Sequence, residues 1–114
     1  MIQKSISYDT VLCASRHEIL SPQGNKVLNS VFPEVCSLNI KELDNYAVKY
    51  FSDFKKSIKP LNYKDIILNV YVTGFSPALV SLINMHNVYF KEINLILWHY
   101  DLRTKAYIPQ KVLL

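Results

Sequence analysis

Apolar positions along the chain fall into short solid runs and one long striped run, separated by polar or proline-containing breaks. "DTVLCAS" at 9–15 is an apolar run bounded by polar residues, which predicts a buried strand. "SP" at 21–22 predicts a helix after it. Ser21 can cap free N–H groups and Pro22 suits the first helical position. Val27, Leu28, Val31 and Phe32 would form its apolar stripe, and Pro33 would end it. "EVCSLNI" at 34–40 predicts a second strand. In "KELDNYAVKYFSDFKKSI" at 41–58, Leu43, Tyr46, Ala47, Tyr50, Phe51, Phe54 and Ile58 recur at the i, i+3, i+4, i+7 spacing of an amphipathic helix. Lys55, Lys56 and Lys59 cluster in its last turn, where the helix dipole favours cations, and Pro60 stops it.

"DIILNVYVTG" at 65–74 predicts a third strand. The helix that follows, from Ser76 to about Asn87, carries Ala78, Leu79, Val80, Leu82, Ile83 and Met85 and is apolar on most sides. Such a helix needs cover beyond its sheet, and a subunit interface would supply it. "INLILWHY" at 93–100 predicts a fourth strand, and "DLRTK" turns into "AYIPQKVL" as a hairpin return. The order β-α-β-α-β-α-β-β, with strands as solid apolar runs, implies a mainly parallel sheet with helices on both faces. Right-handed crossovers then give a small Rossmann-like, three-layer α/β domain. Its sheet of about four strands runs 2-1-3-4, with an antiparallel final strand.

The length of 114 residues fits one domain over 1–114. Half the residues are apolar and 19% are charged, which argues against disorder. Thirteen Lys and Arg against nine Asp and Glu leave +4. That excess suits a small anionic ligand or RNA and lacks the dense basic stripe of a duplex-DNA binder. No apolar run reaches the ~20 residues of a membrane span, and "MIQKSISYD" lacks a signal peptide's apolar stretch. The expectation is a cytoplasmic chain, with Cys13 and Cys36 as buried thiols.

In such sheets ligands bind at the carboxyl ends of the strands where strand order reverses, here between strands 1 and 3. Strand 1 ends in "SRHEILSP" and strand 3 in "TGFSP". Gly74 either lets the backbone turn and approach a ligand closely, with Ser76 and Pro77 opening a helix toward the same crevice, or is only a tight-turn glycine. Arg16 could grip phosphate and His17 could move a proton, or both could be ordinary surface polarity. "WHYDLRTK" brings His99, Asp101, Arg103 and Lys105 to the same edge, although Asp101 and Thr104 equally suit a hairpin turn. His86 reads as a solvated histidine at a helix end. There is no GxxxxGK[ST], GxGxxG or GxSxG, and the histidines and carboxylates have no metal-ligand spacing. No cofactor and no metal are expected.

At "LCASRHEILSPQ", "YVTGFSPALVSLIN" and "LILWHYDLRTKAYIPQ" the chain resembles the small stand-alone CARF-like (CRISPR-associated Rossmann-like) proteins of type III CRISPR systems. The resemblance implies a homodimer that binds a cyclic oligoadenylate, cyclic tetra-adenylate foremost, either sequestering it or cleaving it as a metal-independent ring nuclease. Carried onto this sequence, it assigns Ser15, Arg16 and His17 at the end of strand 1. It assigns Thr73, Gly74, Phe75 and Ser76 after strand 3, with Phe75 stacking on adenine. Cleavage would use a ribose 2′-OH in line with the phosphate, with Arg16 and His17 as the catalytic pair. Two rival readings are a non-enzymatic protein-interaction domain and a regulatory domain that binds another nucleotide.

Overall fold

The computed structural model describes residues 4–14, 18–34, 38–58 and 63–113. Five strands and two helices follow in the order β1 (Lys4–Cys13), β2 (Ser30–Phe32), α1 (Ile40–Ile58), β3 (Tyr63–Tyr71), α2 (Ser76–Tyr89), β4 (Asn94–Asp101) and β5 (Ala106–Lys111). They form one sheet in the order β2-β1-β3-β4-β5. Every pairing is parallel except β4 with β5. The expected α/β class, the 2-1-3-4 order and the antiparallel return all hold.

Period-two alternation sorts the strand residues between two faces. On one face Leu12, Leu68, Val70, Leu95 and Leu97 meet Leu43, Ala47, Phe51, Phe54 and Ile58 of α1 and Ala78 and Leu82 of α2. Each large apolar side chain fully buried there stabilises the fold by about 1.5–3 kcal/mol. The predicted stripe of α1 is buried except at its flank, where Tyr46 is exposed and Tyr50 half-buried. Asn39 starts this helix, its Oδ1 accepting the Glu42 N–H at 3.1 Å.

Both helices lie on that one face. The third layer is the segment 18–29, where the expected helix from Ser21 to Phe32 would begin. Ser21-Pro22-Gln23-Gly24 turns sharply instead: the Gly24 N–H donates to the Ser21 carbonyl at 2.8 Å, and Gly24 takes the left-handed φ of 84°. Leu20 then bridges Lys26 in antiparallel fashion. Proline at the second position of the turn and glycine at its fourth favour this turn over continued helix. Val27 and Ile19 cover Val11, Tyr71, Trp98 and Tyr107 on the second face. Of the strand expected at 34–40, residues 35–37 lie outside the described residues, Ile40 opens α1, and the described strand is β2 at 30–32, whose Val31 and Phe32 enter the core while Leu38 and Ile40 stay exposed. Cys13 is buried; Cys36 lies outside the described residues. Among the described residues no helix is long and apolar enough to cross a membrane.

Candidate functional site

The carboxyl ends of β1 and β3 adjoin, as the strand order requires. Thr73 fastens them. Its hydroxyl donates to the Cys13 carbonyl at 2.8 Å and accepts the Cys13 N–H at 2.9 Å, continuing the ladder through a side chain. Gly74 is exposed, its φ is not positive, and a Cβ there would meet nothing within 4 Å. The tight turn therefore does not require glycine, contrary to one of its two readings. Phe75, not Ser76, is the N-cap of α2, in extended conformation and without a side-chain cap. Pro77 has no N–H, and those of Ala78 and Leu79 point back to the Phe75 carbonyl. The N-terminus of α2 thus offers few free donors, fewer than the sequence suggested. Phe75 leans partly into the helix-side core. Ser15, Arg16 and His17 lie outside the described residues, in the three positions between Ala14 and Glu18.

The β4–β5 hairpin divides its candidates. Asp101 closes the turn, Oδ1 accepting the Arg103 N–H at 2.9 Å and Oδ2 the Thr104 hydroxyl at 3.0 Å. The turn reading of Asp101 and Thr104 is the one realised. His99 meets Gln110 Oε1 at 2.9 Å, and its place between Trp98 and Tyr100 turns it to the helix side of the sheet. Arg103 is exposed in the turn. His86 is not solvated: it is 1% exposed, its Nε2 faces the Ile93 carbonyl and its Nδ1 faces Asn87 Oδ1. A carbonyl only accepts, so Nε2 carries the proton.

The second face holds a wide opening. A cavity of about 530 Å³ lies between the 18–22 segment and the hairpin, walled by Glu18, Leu20, Tyr100, Lys105 and Tyr107. Tyr107 is the centre of an aromatic row. It meets Tyr100 at 5.3 Å and Tyr71 at 5.2 Å between ring centroids, and Tyr71 stacks on Trp98 at 5.8 Å. Trp98 Nε1 donates to Asn69 Oδ1, whose amide donates to Ser7 Oγ at 2.8 Å and Asp9 Oδ1 at 3.0 Å. Burial first, then the Asp9 carboxylate and Tyr107, push the Tyr71 phenol up to about 12. Burial, then Tyr100, also raises Tyr107. Both phenols stay neutral near pH 7 and can stack or donate. Lys105 makes no ion pair among the described residues, whereas Glu18 pairs with Lys26 at 3.5 Å.

Sequence reasoning placed Lys105 at this edge but missed Glu18, Leu20, Tyr100 and Tyr107. The signal was the alternation of Trp98 and Tyr100 facing Tyr107 across a hairpin. Among the described residues no group of three or more His, Cys, Asp or Glu stands together as metal ligands. No family model, curated protein or solved structure matches the chain.

Proposed function

We propose that this protein binds an anionic nucleotide at the carboxyl edge of its sheet, a cyclic oligoadenylate above others, as a homodimer. One observation carries the reading: the cavity of about 530 Å³ beside the carboxyl end of β4 joins two edge tyrosines to a lysine that has no ion pair among the described residues. Tyr100 and Tyr107 offer π-faces to a base, and Lys105 offers its ammonium to a phosphate. Arg16 and His17 come two and three residues after Ala14, which follows the carboxyl end of β1. There Arg16 would steady phosphate charge and His17 would move the proton of the attacking 2′-OH, with no metal needed.

The test is calorimetric titration with cyclic tetra-adenylate, with linear product followed in the same samples. Wild type should bind. Lys105→Ala should lose a charge-assisted contact of roughly 1.5–3 kcal/mol, about ten- to a hundred-fold in affinity. His17→Ala should lose product and keep binding. Absence of binding by wild type at low salt ends the nucleotide reading. Binding without product leaves a sequestering protein and removes the catalytic roles of Arg16 and His17.

A further inference from the structure

Among the described residues no strand pairs with the outer edge of β1 before Val11. β1 has ten residues, but β2 pairs only with its last three, from Val11 to Cys13. The Val11 N–H points outward to the Asn29 carbonyl at 2.9 Å, so the two-residue period turns the backbone groups of Asp9 and Ser7 the same way. Among the described residues the one group that meets them is the Asn29 side chain, whose Nδ2 donates to the Asp9 carbonyl at 3.0 Å. Asn29 stops the ladder there. It is itself held by the Tyr50 hydroxyl at 3.1 Å.

Where a longer β2 would run, there is a groove of about 390 Å³ lined by Tyr8, Asp9, Asn29, Tyr50, Asp53 and Phe54, with Ser57. Tyr8 and Phe54 meet edge to face at 5.2 Å and Tyr50 stacks near Phe54 at 6.4 Å, giving an apolar wall. Asp53 stands on the exposed flank of α1, and neither it nor Asp9 has an ion-pair partner among the described residues. On a chain of net charge +4 this is a local acidic spot.

We infer that this slot takes an extended peptide segment that adds a strand to β1 and places a lysine or arginine between the Tyr8 and Tyr50 rings and Asp53. Backbone hydrogen bonds to Ser7 and Asp9 supply the docking, and the side chain supplies the choice. An aliphatic stem against the rings with a cation at the carboxylate fits a basic residue and rejects an acidic one. The inference does not depend on the nucleotide reading, because the slot and the cavity lie on different edges of the sheet.

Two short synthetic peptides of alternating threonine and valine, one with a central lysine and one with a central glutamate, test it on the isotope-labelled full chain. The lysine peptide should shift the Ser7 and Asp9 amides saturably and bind at least about ten-fold more tightly than the glutamate peptide. Asp53→Lys, an exposed helix position whose folding is checked by circular dichroism, should erase or reverse that preference. Equal binding of both peptides, or shifts that leave Ser7 and Asp9 untouched, overturns the inference. So do Ser7 and Asp9 shifts that grow with protein concentration alone, since a second copy would then fill the edge.

Discussion

Lys105 sits at the rim of the cavity with φ of 54°, the one non-glycine residue in the left-handed region among those described. For an L-residue that conformation costs about 1–2 kcal/mol, and asparagine or glycine would hold it more cheaply. A lysine kept there is consistent with a role for its ammonium. Lys105→Gly is therefore expected to raise stability by about 1 kcal/mol in denaturant melts while weakening cyclic tetra-adenylate binding. The two glycines separate in the same way. Gly24, at φ 84°, should lose about 1 kcal/mol on substitution by alanine although space is open around it. Gly74→Ala should leave stability unchanged or slightly higher, so a loss of ligand affinity in that variant would assign Gly74 to close approach of a ligand. Tyr71 gives a pH signature. Its phenol titrates at about 12 in the folded chain against 10.0 ordinarily, so the folded state holds this proton more tightly than the unfolded state. The stabilisation is complete below pH 10 and is lost as pH rises toward 12. Alkaline melts should steepen across that window, less so in Tyr71→Phe, with Tyr50 and Tyr107 accounting for the remainder. At this scale the sequence could name residue types at a strand end, but not that Thr73 would spend its hydroxyl on Cys13 or that His99 would face away from Tyr100.

The elements differ in how plainly their residues declare them. In α1, five core residues recur with helical spacing over nineteen positions and no glycine or proline interrupts, so local propensity and burial agree. Asn39 adds its cap, and Asn39→Ala should cost about 1 kcal/mol. Segment 18–29 shows the opposite case. Val27, Leu28, Val31 and Phe32 have helix-compatible spacing, yet Pro22, Gly24 and Asn25 favour a turn, and the sheet claims Val31 and Phe32 as strand. A periodicity of four residues could not weigh those two uses; the "SPQGN" turn chemistry could have. α2 hides a further case. His86 reads as a surface residue from its place near a helix end, but the chain returns through Phe90 to Ile93 and closes over it. Phe51 lies 6.0 Å from its ring and 5.0 Å from that of Phe90. His86→Ala should cost roughly 2–4 kcal/mol, part cavity and part unpaired Ile93 carbonyl, read as a lower denaturant midpoint. If His86 were a solvated end residue, the change would be near zero.

At the scale of the molecule, the two edges of the sheet are unlike. β5 carries Pro109 and cannot continue a ladder on its outer side, whereas among the described residues nothing extends the β1 ladder where β2 stops short. Growth of the sheet is thus directed to β1, while a pairing of two whole chains has a second surface to draw on. The helix face supplies one. α2 buries Ala78, Ser81, Leu82 and His86, while Val80, Val88 and Tyr89 remain 56%, 62% and 62% exposed on its outer side. Val80 and Val88 are two turns apart on one stripe, with Asn84 between them, a small apolar ridge suited to self-contact about a two-fold axis. Leu82, which the all-round apolar character of this helix placed at the interface, is fully buried in the core, so Leu82→Glu would unfold the chain instead of reporting on assembly. Val80→Glu with Val88→Glu is the informative pair. The wild type should sediment as a dimer at micromolar concentration, and the double variant as a monomer with an unchanged circular dichroism spectrum. The monomeric variant keeps every residue of the cavity, so its titration with cyclic tetra-adenylate shows whether binding needs the second chain. Should the wild type sediment as a monomer at every concentration, the ridge has no partner in a second copy and the homodimer reading falls with it.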